Sequence, residues 1–113
     1  MAKIYNVLVP PEAEKQIKGL DPAVFQIIQN AVRKLKDSPQ LGKPLTGSLG
    51  GLRSWKVSRY RIVYRLLEEK GAIVIAGAGI RKEGDKGDIY NFLQRLKEKG
   101  VLEDLMRYVG ESS

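Results

Sequence analysis

The side chains able to do chemistry in this chain are cations and hydroxyls. Its 113 residues contain no histidine and no cysteine. That removes the commonest general base, the commonest zinc ligand, thiolate nucleophiles and disulfides. Proton transfer and charge stabilisation are left to Lys, Arg, Tyr, Asp, Glu or Ser. Lys and Arg total 20 against 13 Asp and Glu, for a net charge of +7. A balance this basic points to an acidic partner, nucleic acid first and an acidic protein second. Charge alone fits a plain soluble basic surface equally well.

The cations concentrate in one stretch, residues 51–67, GLRSWKVSRYRIVYRLL. Alternation predicts two strands with a tight reversal near residues 58–60. In the first strand Leu52, Ser54, Lys56 and Ser58 share one side, and Arg53, Trp55, Val57 and Arg59 the other. Trp55 and Val57 seek the core, which leaves Lys56 on the more polar face. In the second strand Tyr60, Ile62, Tyr64 and Leu66 oppose Arg61, Val63 and Arg65. The simplest arrangement buries Tyr60, Ile62 and Leu66 with Trp55 and gathers Arg61 and Arg65 beside Lys56. Such a cationic sheet face invites a polyanion.

The elements that must position this face follow from pattern. Residues 3–9 (KIYNVLV) are short, rich in β-branched residues and stopped by Pro10-Pro11, hence a strand. Residues 12–18 form a short helix with Pro11 in its first turn, broken at Gly19. Asp21 caps a second helix, Pro22 opens it, and it runs to about Lys36. Phe25, Ile28, Val32 and Leu35 make its apolar stripe, flanked by Ile27 and Ala31. Residues 40–51 read as a loop rich in Gly, Pro and Ser. The loop lacks the Lys-Ser/Thr ending of a phosphate loop and reads as a connector. Residues 72–79 (AIVIAGAG) are apolar on both faces, as a central strand is. Residues 80–87 are a charged, glycine-broken loop. Asp88 caps a helix over 89–98, and 101–108 reads as a last short helix before a frayed tail.

One domain is the default at this length. The predicted fold is α+β: a small antiparallel sheet of about four strands, an N-terminal helical hairpin on one face, and a C-terminal helix. The strand after the two helices should return antiparallel to the first. The face bearing Lys56, Arg61 and Arg65 is expected to stay open, with Arg81 just past the last strand. The opening MAKIYNVLVP carries no signal pattern. No apolar run approaches the roughly 20 residues of a membrane helix. These features and the missing cysteines suit a cytoplasmic location with no membrane partner.

Three pieces, LKDSPQLGKPLTGSLGGL, WKVSRYRIVYRL and GIRKEGDKGDIY, together with this order of elements, resemble the RelE/ParE toxins of toxin–antitoxin systems. The likeness runs from Ile4 to about Leu96, with the YRIVY hairpin its most specific part. It implies a single toxin domain with its core over about residues 3–98. It does not separate the RelE branch, which cuts messenger RNA on the ribosome, from the ParE branch, which poisons DNA gyrase. The third piece favours RelE, where an arginine ending the last strand and a tyrosine opening the final helix serve the active site. Arg81 and Tyr90 stand in those places.

Carried over residue by residue, the resemblance implies catalytic roles for Lys56, Arg61, Arg81 and Tyr90. Arg53, Arg59, Arg65 and Lys82 would help to bind RNA. A second family lysine would fall at Ser54, which is not basic, and residues 84–87 read as an insertion before Tyr90. The implied reaction is metal-independent strand scission, in which the ribose 2′-OH attacks its own 3′-phosphate and leaves a cyclic phosphate and a 5′-OH. Lys56 is the candidate base, its proton affinity lowered by the arginines crowding it. Arg61 would hold the non-bridging oxygens, Arg81 the leaving side, and Tyr90 a base. No cofactor or metal is called for. The implied partners are the ribosome, messenger RNA and a cognate acidic antitoxin in a toxin–antitoxin heteromer. The alternatives are a gyrase poison, or a catalytically weak relative acting only through protein binding.

Overall fold

The computed structural model describes residues 5–82, 88–100 and 102. Residues 3 and 4 of the expected first strand, residues 84–87, and the expected last helix and tail, Leu102 apart, lie outside them. The described elements are β1 (Asn6–Leu8), α1 (Pro11–Lys18), α2 (Pro22–Asp37), β2 (Lys43–Pro44), β3 (Arg53–Val57), β4 (Tyr60–Leu67), β5 (Ala72–Ile80) and α3 (Ile89–Glu98). The α+β class expected from pattern is observed.

The sheet has five strands in the order β1-β5-β4-β3-β2. The uncounted strand is β2, two residues inside the expected loop. It pairs antiparallel with β3, Lys43 opposite Ser54 and Pro44 opposite Arg53. Two residues show no alternation, so no pattern could reveal them. The sheet is also mixed rather than purely antiparallel, because β1 pairs parallel with β5. The strand expected to return antiparallel to β1 after the two helices is β3, and following the pairings it runs parallel to β1 instead. The unexpected β2 takes the antiparallel place, and the turn at Gly47–Leu49 then reverses the chain into β3.

Burial separates the two faces of the sheet. Ile62, Tyr64, Ile73, Ile75 and Ala78 pack with Ile17 of α1 and with Ile28, Ala31 and Leu35 of α2. Trp55, Val57 and Tyr60 join this core half-buried. Val63, Ala76, Leu49 and Leu52 form a second core with Ile89, Leu93 and Leu96 of α3. The second face is therefore not open: α3 lies across it. The difference comes from Val63, which shares a strand face with Arg61 and Arg65 and so reads in sequence as part of a polar face. Its side chain is fully buried.

Two backbone devices make this packing possible. The β4–β5 register slips between Val63 and Tyr64, where Val63 faces Gly77 and Tyr64 faces Ile75. Ala76 is the extra residue, and the slip turns Gly77 and Gly79 toward the second face. A Cβ on Gly77 would lie 3.2 Å from Ile89 Cδ1 and from Gln16 Oε1. Glycine there lets α3 approach. The β3–β4 turn is two residues long, with Ser58 at φ 57°.

At the free edge of β5, a side chain replaces a strand. β1 covers only residues 72–74. Farther along, the Gln16 amide donates to the Ala78 carbonyl at 2.6 Å and accepts from its N–H at 3.0 Å. One carboxamide satisfies both backbone groups, closing an edge otherwise open to pairing. Gln16→Leu keeps the bulk and removes both bonds. It should lower unfolding free energy by about 1–3 kcal/mol, measured by urea denaturation. A loss under about 0.5 kcal/mol would mean that water replaces the amide without cost.

Candidate functional site

The hairpin register decides which side chains meet. Lys56 pairs with Arg61 across β3 and β4, and Ser54 pairs with Val63. Cross-strand partners share a face. Lys56 and Arg61 thus stand together on the second face, at the end that α3 leaves uncovered. A cleft of about 510 Å³ opens there. Lys43, Lys56 and Arg61 supply its charge, Ser54 and Tyr90 its hydroxyls, and Leu41, Leu45 and Trp55 its apolar wall. Lys56 is exposed and Arg61 half-buried, its Nη1 donating to the Tyr60 carbonyl at 3.3 Å.

Tyr90 is locked from two sides. Its hydroxyl donates to Ser54 Oγ at 2.7 Å. The Arg81 guanidinium carbon lies 4.5 Å from its ring centroid, a cation–π contact. Ser54, only 9% exposed, is the acceptor that fixes the tyrosine.

Asp88 holds this arrangement. Its Oδ1 accepts from Arg81 Nη1 at 2.9 Å and from the Lys82 N–H at 2.6 Å. Its Oδ2 accepts from the N–H groups of Tyr90 and Asn91 at 3.1 and 3.2 Å. It caps α3 and at the same time pins the end of β5. The carboxylate is 0% exposed and Arg81 is 29% exposed. Burial pushes the Asp88 pKa up, but the Arg81 hydrogen bond, the two backbone N–H groups and the Arg81 charge outweigh it and hold it below the ordinary aspartate value.

The sequence-predicted residues therefore divide. Lys56, Arg61 and Tyr90 line one cleft, and Arg81 reaches it through the Tyr90 ring. Arg65 is not beside Lys56, contrary to expectation. Val63 and the α3 residues over it intervene, and Arg65 lies in a separate cleft with Glu68, Glu69 and Lys70. The crowding of Lys56 thus comes from fewer arginines than expected. Arg53 faces the other way, opposite Tyr64, and its Nε donates to the Gly42 carbonyl at 3.0 Å. Arg59 is exposed at the hairpin tip, and Lys82 is exposed beside Asp88. Sequence reasoning missed Lys43, which only the β2 pairing brings in. It also missed the dual role of Asp88, visible beforehand only as a helix cap. Among the described residues no group of acidic side chains is placed to hold a metal ion.

The family model of the ParE toxin of type II toxin–antitoxin systems (parDE) matches residues 7–82. Among solved structures, the toxin–antitoxin complex RelBE2 of Mycobacterium tuberculosis is similar at 29% identity with a TM-score of 0.63, over 69% of this chain and 99% of that one. The isolated E. coli RelE toxin has the same fold at 19% identity and TM-score 0.59, over 80% of this chain and 96% of that one. The archaeal RelE–RelB complex of Pyrococcus horikoshii does so at 19% and 0.57, over 72% and 99%. No curated protein matches the chain in sequence.

The Asp88 carboxylate carries a pH signature. Its folded-state pKa is depressed. Its contribution is therefore complete above the unfolded aspartate pKa, near 4, and is lost as pH falls through the lower folded value. Asp88→Asn should cost about 1.5–3 kcal/mol at pH 7. The gap to the parental protein should close steadily below about pH 4. Denaturant unfolding at a series of pH values checks this; a gap that stays constant would assign the loss to packing instead.

Proposed function

The chain belongs to the ParE toxins of type II toxin–antitoxin systems, within the RelE/ParE superfamily, and from that premise we propose that it is an endoribonuclease cleaving messenger RNA on the ribosome. The observation that carries the reading is the meeting of Lys56, Arg61 and Tyr90 in one cleft, with Arg81 stacked on the tyrosine. A phosphodiester gains negative charge as the 2′-OH attacks, and cations aimed at that point stabilise the transition state.

The roles follow from position. Lys56 takes the 2′-OH proton as general base. Arg61, its cross-strand neighbour, grips the non-bridging phosphate oxygens with its planar fork. Arg81 steadies the leaving side. Tyr90, with one ring face under Arg81 and its hydroxyl on Ser54, offers the remaining face to a base. The 2′-oxygen forms the new bond to phosphorus while the bond to the 5′-oxygen breaks, and that oxygen takes up the proton Lys56 removed and leaves as a 5′-OH. The reaction uses no metal. A second reading, a gyrase poison, is favoured by the ParE description of the matching family model.

The partner we propose is an acidic antitoxin. An apolar groove runs between α1, α2 and β1, lined by Val9, Ile17, Phe25 and Val32, with Arg33 and Lys36 at its rim and Lys18 there paired to Glu14. An amphipathic segment with acidic flanks fits that surface. Complexes are among the similar structures: RelBE2 is a toxin–antitoxin complex and the archaeal structure holds RelE with RelB. Among the described residues no helix is long and apolar enough to cross a membrane, and the proposed substrate places the protein in the cytoplasm.

Arg61→Ala should lower cleavage of ribosome-bound messenger RNA about 10²–10³-fold. Arg61 faces away from the α1–α2 core, so melting should stay within roughly 0.5 kcal/mol of the parental protein. Lys56→Ala should behave alike, and Lys56→Arg should not restore a base, because arginine stays protonated. Parental cutting rates in Arg61→Ala would exclude this site. Rescue by Lys56→Arg would reassign Lys56 to charge stabilisation.

A further inference from the structure

Charge compensation singles out one cation in the cleft that the sequence pattern did not. The Arg81 charge is already balanced by Asp88 at 2.9 Å. Lys43, Lys56 and Arg61 line the cleft, and among the described residues none of the three forms an ion pair. Lys43 arrives through register. It is the cross-strand partner of Ser54, which puts it on the face of Lys56 and Arg61. Directly opposed Cβ atoms lie about 5 Å apart, closer than the roughly 6.6 Å between neighbours on one face of a strand. The short Ser54 side chain, tied to Tyr90, leaves the space above it to the longer Lys43.

A two-residue strand would place a side chain loosely, but this one is anchored. The Gly42 N–H donates to the Tyr64 hydroxyl at 2.9 Å, and its carbonyl accepts from Arg53 Nε at 3.0 Å. The Tyr64 hydroxyl in turn donates to the Pro39 carbonyl at 2.6 Å. A Cβ on Gly42 would lie 2.6 Å from the Tyr64 hydroxyl, so glycine is required for this approach. Tyr64 is fully buried. The backbone just before Lys43 is therefore tied to the core.

We infer that Lys43 is a substrate-binding cation of this cleft, gripping a phosphate of the RNA backbone on the β2 side while Lys56 and Arg61 act at the scissile phosphate. This rests on the nuclease reading. The role needs charge and reach, not proton transfer. Arginine should therefore serve at position 43 where it fails at position 56.

The test is single-turnover cleavage of ribosome-bound messenger RNA across protein and salt concentrations, with thermal melting as the check on folding. Lys43→Gln should raise the half-saturating protein concentration about 10- to 100-fold, leave the plateau rate within a few-fold, and melt as the parental protein does. The salt slope should fall by about 0.7 for one lost single-strand phosphate contact. Lys43→Arg should restore both. Unchanged half-saturation and salt slope in Lys43→Gln, with parental cleavage intact, would overturn the inference and leave the nuclease reading standing. A parental protein that does not cut would overturn both.

Discussion

The structure depends on where one buried carboxylate places its four hydrogen bonds. Asp88 receives a guanidinium and a backbone N–H from the end of β5, and two N–H groups from the start of α3. A buried charge is costly unless paired and fully bonded, and these four bonds supply that pairing. They tie the start of α3 to the end of β5. From there α3 sets out over the sheet. It crosses the second face, buries Val63 and Ala76, and brings Tyr90 over Ser54. At its far end Gln94 and Lys97 bond Ser48 of the short turn before β3.

The same packing sorts the cations. By alternation alone, Arg61 and Arg65 would share a continuous basic face with Lys56. Covering Val63 splits that face in two, and the register slip at Ala76 lets the helix lie close enough to do so. What remains exposed at one end is small but concentrated: three cations that have no acidic partner among the described residues, around two fixed hydroxyls. A charge field confined this way attracts a phosphate and fixes its orientation. A dispersed basic surface does only the first.

Much of this was legible beforehand because it is local. The α2 stripe, the Asp21-Pro22 start, the Asp88 cap and the Trp55/Lys56 division each follow from a period or a cap within a few residues. The rest depends on distant pairings. β2 is too short to have a period, and its effect, putting Lys43 opposite Ser54, exists only in the sheet. The parallel β1–β5 pairing joins residues 66 apart in sequence, Asn6 to Ala72 through Leu8 to Val74. The apolar side of α3 announced burial but not a partner; the partner was Val63, hidden among arginines. Ser54 looked like an absent lysine, whereas in the fold it is the acceptor for Tyr90.

Cleavage by 2′-OH attack in this cleft, as proposed, would be reported directly by the ends left on the RNA. Ribosomes programmed with a defined messenger RNA would be incubated with the purified toxin, without added metal beyond what the ribosome needs, and the fragments analysed for end groups. Gyrase supercoiling would be assayed in parallel. The expected fragments end in a 2′,3′-cyclic phosphate or its hydrolysed 3′-phosphate, partnered by 5′-OH ends, with supercoiling unaffected. Intact messenger RNA together with inhibited supercoiling would contradict the proposed cleavage.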